Sequence, residues 1–386
     1  MRILLLTSLM AAAAITCAQG RAVPVGGGQN ESPKQLRLTD ETKKAQELLR
    51  MAMGRVPIYN VQAIITQRLD YSSPLFQQIK VQISKEGKLH QIILAPLDYQ
   101  GIELVDDGQK MWTYTPDDKR VIVQPSARQD EDVKFRMKLV VRNYTIRLER
   151  REKVAGRDAA IVTATPKDDD LETRCYAIDE NTGFLLRLET CKEGSAPVLH
   201  FETKMVQFPD KFAKGTFEIN SAFVTTEHYD RKCVGPESAN DLVDELGFHP
   251  VVPNKLPFGF AVQELQAATD SRPTALAVRI TDGLAKATII EWEGGRSSKA
   301  PAPQGTIVAN SGRLTLLISG DMPDDVKDRI LRAFVQGHHQ RDAWKLPDVT
   351  LSWVQELRSN AEAFSINREP GRVAPTAFSL PVANQD

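Results

Sequence analysis

Val105-Asp106-Asp107-Gly108-Gln109-Lys110-Met111-Trp112-Thr113-Tyr114 is the stretch that decides the fold. An apolar run ends in Asp-Asp-Gly, and a run rich in aromatic and β-branched residues follows. Glycine at the turn with alternation beyond it marks a β-hairpin. The same period of two recurs outward along the chain. Val61 to Thr66, Ile79 to Ser84, Leu89 to Leu94, Gly101 to Val105 and Arg120 to Val123 read as strands. Tyr144 to Leu148, Ala159 to Ala164, Glu172 to Ile178, Phe184 to Glu189 and Val198 to Phe208 continue the series. Short strands with regular turn signals predict an antiparallel meander with one buried face and one wet face.

Two segments break that period. Thr39 to Met53 sets Ala45, Leu48, Leu49 and Ala52 at helical spacing, with Thr39 or Asp40 as cap and Gly54 as stop. Ser126 to Arg142 is charged at first, then carries Phe135, Met137, Leu139 and Val140. It reads as a helix or mobile loop between two strands. A long curved sheet with helices on its apolar face encloses a cavity suited to an apolar guest.

The composition turns acidic and irregular over Glu227 to Gly247, which sets a domain boundary. Strands restart at Phe260 to Leu265, Ala275 to Ile280, Ala287 to Trp292, Thr306 to Ala309 and Leu314 to Ser319. Pro323-Asp324-Asp325 then opens a helix whose inner face is Val326, Ile330, Leu331 and Phe334. The fold class expected is α+β: a large curved antiparallel sheet packed on helices, with a second, smaller α+β domain. The chain divides into a signal peptide 1–20, a flexible lead-in 21–38, a large domain 39–226, a linker 227–252, a small domain 253–337 and a tail 338–386. Leu351 to Ala363 is a candidate helix within that tail.

The chain opens with a basic Met1-Arg2, an apolar Ile3 to Ala14 and small residues around Ala18-Gln19-Gly20. That order is a secretory signal, too short to span a bilayer. The expected location is extracytoplasmic. Cys17 offers a lipid attachment point, but Ala14-Ile15-Thr16 departs from the usual Leu-Ala-Gly that precedes one. Cleavage and release is the preferred fate.

A formal net charge of −1 with interspersed signs argues against nucleic acid as a partner. Cys175, Cys191 and Cys233 remain after processing, an odd number and so no disulfide framework. Pairing Asp179 with Phe184 across the Asn181-Thr182-Gly183 turn puts Cys175 opposite Leu188. The two nearer cysteines are then not cross-strand neighbours. One bridge to Cys233 stays open, and small buried hydrophobes are the favoured reading.

Enzyme signatures are missing: no Gly-x-Ser-x-Gly elbow, no His-Glu-x-x-His, no phosphate loop. Asp168-Asp169-Asp170 has the ligands for calcium but reads better as a solvated turn. His338-His339 point apart on any regular element, and His200 reads as a strand residue rather than a base. The expectation is a chain that is not an enzyme, with no metal and no cofactor.

The order of these elements resembles the lipoprotein-carrier fold of LolA and its RseB/MucB relatives. The resemblance rests on Val105 to Tyr114, on Asp179 to Arg187 and on the second domain. There, Pro253-Asn254-Lys255-Leu256-Pro257-Phe258-Gly259-Phe260 is similar to the "LP-x-GF" start of the RseB/MucB C-terminal domain. Ile280 to Ile290 resembles its "DGL" strand pair, and Val308 to Pro323 its closing strand and helix start. The resemblance spans roughly Thr39 to Phe334, and the tail after His338 has no counterpart.

It implies a periplasmic sensor that binds a membrane anti-sigma factor and yields to a lipid or lipoprotein. The alternative it implies is a LolA-like lipoprotein carrier. The partners expected are therefore a membrane-bound anti-sigma-type protein or a lipoprotein, and a lipid acyl chain. An acyl chain gains about 0.8 kcal/mol per buried methylene. The residues expected to cover it are Leu48, Leu49 and Met53 from the helix and Trp112 and Tyr114 from the sheet. Phe135, Met137 and Leu139 join them from an insert acting as a lid. For Trp112 and Tyr114 plain core packing is the competing reading.

Overall fold

The computed structural model describes residues 39–54, 57–126, 133–192, 194–219, 225–228, 232–234, 240, 242–268, 274–294 and 305–341. The signal-peptide reading, Cys17, the lead-in and the helix expected at 351–363 lie outside the described residues.

Helix α1 (Asp40–Met53) leads into a six-strand meander: β1 (Val61–Arg68), β2 (Phe76–Ile83), β3 (Leu89–Ala95), β4 (Glu103–Asp106), β5 (Lys110–Thr115) and β6 (Arg120–Pro125). Helix α2 (Val133–Asn143) follows. A second meander runs through β7 (Tyr144–Val154), β8 (Arg157–Pro166), β9 (Thr173–Asp179), β10 (Leu185–Cys191) and β11 (Val198–Gln207). Strand β11 returns to pair with β1, so the two meanders fuse into one antiparallel sheet with β7 at one margin. A parallel strand, β12 (Thr225–His228), extends the other margin beyond β6. The sheet stays open. Helix α2 is the connection between its outlying strands β6 and β7.

The opening hairpin forms as its residues require. Asp107 Oδ1 accepts from the backbone N–H of Gln109 and Lys110, both at 2.8 Å, and Gly108 takes φ +92°. A left-handed residue at that point is the reason for glycine. The Thr39 hydroxyl caps α1 through the Thr42 N–H at 3.2 Å, and the Gly54 N–H closes the last turn. The apolar face of α1 lies over β7, β8 and β9.

The β9–β10 turn touches α1. Gly183 packs so closely on Met51 that a Cβ there would lie 2.6 Å from it. The Asp179 carboxylate holds this turn together. It accepts from Arg157 Nε at 2.5 Å and from the N–H of Asn181 and Thr182 at 2.9 Å. Burial opposes its ionisation, but these donors outweigh burial and hold its pKa below the usual carboxylate range. A depressed folded pKa adds stability that is complete above about pH 4 and lost as pH falls through the folded value. Asp179→Asn is therefore expected to destabilise at neutral pH by about 1–3 kcal/mol. Denaturant titrations at neutral and acid pH should find the difference shrinking in acid.

The second sheet has the order β13 (Lys232–Val234), β14 (Ala261–Ala268), β15 (Ala275–Thr281), β16 (Lys286–Glu293), β18 (Leu314–Gly320), β17 (Thr306–Ser311). A short helix α3 (Val243–Leu246) precedes β14, and α4 (Asp324–Arg341) covers the sheet. Val326, Ile330, Leu331 and Phe334 of α4 are buried as its periodicity predicts. Lys327 is buried with them, its ammonium held by the Gly305 carbonyl at 2.9 Å and by Asp324 at 3.0 Å.

Three expectations need correction. The stretch 227–252 is not a plain linker. Its start lies in β12 of the first sheet, β13 opens the second sheet, and Leu242, Leu246, Phe248 and Val251 enter the small-domain core. Asp244 and Glu245 of this stretch lie on the exposed side of α3. Helix α4 also runs past the expected domain end at 337, to Arg341.

The cysteine register is the third correction. The Asp179 N–H does bond the Phe184 carbonyl at 2.9 Å. A bulge between Leu185 and Arg187 then slips the ladder by one residue. Cys175 therefore faces Glu189, Cys191 faces Thr173, and the two sulfurs meet on the diagonal at 2.6 Å. Cys233 sits in β13, on the other sheet.

Candidate functional site

The apolar floor comes first. Ala45, Leu48, Leu49 and Met53 of α1 share one buried apolar cluster with alternating residues of the large sheet, including Val61, Ala63, Ile79, Leu104 and Met111. Val140 of α2 joins this cluster and Met137 packs against it. Four of the expected residues, Leu48, Leu49, Met53 and Met137, are thus brought together. Leu139 is buried and Phe135 half-buried, and neither belongs to the cluster.

Trp112 and Tyr114 are a correction. Successive side chains of a strand point to opposite faces. Met111 occupies the face toward the cluster, so Trp112 and Tyr114 lie on the other face, half-buried. The hairpin register decides which residue of the pair faces inward.

The second layer of the site is the seam between the domains, which sequence reasoning missed. Arg136, on the face of α2 away from solvent, donates to the Gly283 carbonyl at 3.0 Å. Asn143, at the end of α2, donates to the carbonyls of Gly259 at 3.0 Å and Asp282 at 2.8 Å. The hydroxyl of Tyr144, one residue on, donates to the Asp282 carboxylate at 2.5 Å. Helix α2 is therefore clamped to the small domain, not hung as a free lid. Neighbouring residues of the small domain serve different cores: Leu284 joins the large-domain cluster and Ala285 the small-domain one. Leu171 of the large domain returns the exchange by packing on the small-domain core.

Charge concentrates along the same seam. Arg174 of β9 is buried and donates to the Asp321 carbonyl at 2.7 Å and its carboxylate at 3.4 Å. Burial disfavours its charge, but Asp321 and the nearby Tyr176, Tyr144 and Asp282 more than restore it, so its pKa lies above the ordinary value. Burial raises Asp282, with Arg174, Tyr144 and two backbone N–H groups opposing. Burial likewise pushes Tyr144 upward, with the Asp282 charge adding to the shift.

The acidic run read as a solvated turn is part of this contact: Asp170 pairs with Arg329 of α4, whose guanidinium also sits 4.2 Å from the Phe258 ring centre. His200 is a half-buried strand residue stacked on Tyr71 and hydrogen-bonded to Thr190 at 2.9 Å. Burial, with Arg174 and Arg68, pushes its pKa down to about 3, so it stays neutral. Among the described residues no group of three His, Cys, Asp or Glu side chains converges to hold a metal ion. No described helix is long and apolar enough to cross a membrane.

Residues 77–220 match the family described as MucB/RseB N-terminal domain. No curated protein matches the chain. Among solved structures, MucB is similar over 75% of this chain and 97% of its own, at 16% identity and a TM-score of 0.50. MucB in complex with MucA(peri) is similar over 74% and 96%, at 16% identity and a TM-score of 0.50. At that identity the likeness speaks for the fold. Residues 77–220 of the large sheet therefore carry a MucB/RseB-type N-terminal domain, and the chain as a whole has a MucB-like fold.

Proposed function

We propose that this chain is a non-enzymatic extracytoplasmic regulator. Its large domain accepts an apolar ligand, a lipid or lipoprotein, and its small domain docks a membrane anti-sigma-type partner. The match of residues 77–220 to the MucB/RseB N-terminal domain carries the proposal. The fold shared with a MucB that was solved in complex with MucA(peri) supports the partner class. The signal-like start of the chain supports the compartment. An acyl chain would lie against Leu48, Leu49, Met53 and Met137, the apolar residues that α1 and α2 present to the large sheet. Because α2 is also clamped to Gly259, Asp282 and Gly283, a guest that lifts α2 would disturb the small domain. That link favours a regulator over a carrier, which needs no second domain.

The test titrates the purified mature chain with two probes. One is the periplasmic segment of a MucA-type anti-sigma protein from the same genome; the other is a dipalmitoylated lipopeptide. Saturable binding of the segment, released by the lipopeptide, is the expected result. Capture of the lipopeptide with no affinity for the segment would replace this reading with the carrier. Met137 is only partly buried, so Met137→Asp should keep the fold and weaken lipopeptide binding roughly tenfold, about 1.4 kcal/mol.

A further inference from the structure

We propose that Cys175 and Cys191 close as a disulfide across β9 and β10 in the working protein. Three observations converge. The sulfurs already lie 2.6 Å apart, against about 2.05 Å for the bond, so closure asks for a shift of roughly half an ångström. Both side chains are only half-buried, so a donor can reach them. They also share a face: Tyr176 and Leu188 point into the cluster under α1, while Cys175 and Cys191 lie on the opposite face beside Arg187 and Glu189. The bulge between Leu185 and Arg187 creates this meeting, since an unslipped ladder would put Leu188 opposite Cys175.

The chemistry balances with a disulfide donor, either a dithiol oxidase or an oxidised low-molecular-weight thiol. One cysteine thiolate attacks the donor disulfide and expels one donor thiolate. The second cysteine thiolate attacks the mixed disulfide at the protein sulfur and expels the other. The protein gives up two protons and two electrons, and the donor is reduced to two thiols. Such donors persist outside the cytoplasm. The proposal rests on the extracytoplasmic reading for its oxidant, and on the sulfur separation and strand register for its geometry. Burial, together with Cys191 and Glu189, pushes the Cys175 thiol up to about 12. A thiol that ionises so reluctantly is a poor leaving group, which protects a closed bridge from reduction.

The bridge would lock the hairpin whose tip, Gly183, rests on Met51 of α1. It would thereby tie the helix that covers the apolar floor to one strand register.

The test incubates the purified, reduced mature chain with a mixture of reduced and oxidised glutathione, then alkylates free thiols under denaturing conditions and maps peptides by mass. A linked peptide holding Cys175 and Cys191, with Cys233 as the single alkylated cysteine, is expected. Reduction should lower the thermal midpoint of the wild type by roughly 6–12 °C, from the entropy of a loop of about 15 residues. Cys191→Ser should show neither the link nor the shift, and Cys175→Ala should behave alike if the first variant folds poorly. Full alkylation of both cysteines, or a link through Cys233, overturns the proposal. Binding of the anti-sigma segment does not require the bridge. A chain that binds the segment yet leaves both thiols free defeats only this inference; one that closes the bridge yet ignores the segment defeats only the regulator.

Discussion

Gly283→Val is expected to part the two domains. Gly283 sits at φ +108° in the turn between β15 and β16, and its missing side chain is the space α2 occupies. A Cβ there would lie 2.7 Å from the Val140 nitrogen and 2.8 Å from the Arg136 carbonyl oxygen. Both are helix backbone and cannot swing aside. The left-handed backbone adds strain for any β-branched residue. Strain and overpacking together should cost about 3–5 kcal/mol. The loss falls on the seam, because α2 would have to withdraw, taking the Arg136 bond to the Gly283 carbonyl with it. Calorimetry should show the unfolding transition divide in two, and limited proteolysis should cut between the domains under native conditions. A variant that still melts in one transition at the wild-type midpoint would show that α2 does not couple them. Val141→Lys, on the exposed side of the same helix, is the control and should be near neutral.

Arg174→Met should be the second large effect, with a pH signature of its own. The change leaves Asp321 without its cation and Asp282 buried with less to offset its charge. Breaking a buried pair from one side costs about 3–5 kcal/mol. The pKa of Asp282 is already raised by burial, and Arg174 is the foremost group opposing that rise. A carboxyl whose folded pKa exceeds its unfolded value binds its proton more readily when folded. It therefore supports the fold at low pH and costs stability as pH rises through the folded pKa. Removing Arg174 should widen that window, so the stability gap between variant and wild type should grow from about pH 4 to about pH 7. Denaturant midpoints across that range provide the measurement, and a gap independent of pH would refute the role given to Asp282. Arg174→Lys should recover the charge but only part of the stability, since a single ammonium lacks the two separate nitrogens that Arg174 places on the carbonyl and the carboxylate of Asp321.

These effects arise where sequence patterns are silent. Periodicity found Ala45, Leu48 and Leu49 because an amphipathic helix repeats its apolar positions along its own length, and they are buried in the large-domain cluster. It could not choose between Met111 and Trp112, because alternation names two faces without saying which one is covered. It left Asp282-Gly283-Leu284 between two strands, Ala275 to Ile280 and Ala287 to Trp292. Nothing local tells that this turn feeds one leucine into the neighbouring domain's core and offers its carbonyls to Arg136 and Asn143. The cysteine register failed for a related reason: a single bulge shifts every later pair, and no residue between Leu185 and Arg187 announces it.

What the sequence by itself determined about this protein is what short-range forces decide. The capped helix α1, the glycine turns, the alternating strands and the inner face of α4 all follow from residues within a few positions of one another. The tertiary structure alone decided the fusion of two meanders through β1 and β11, the clamping of α2 onto the small domain, and the meeting of Cys175 with Cys191. Those pairings join residues far apart in the chain or displaced by a bulge. Their energies depend on which surfaces meet, which only packing of the whole can set.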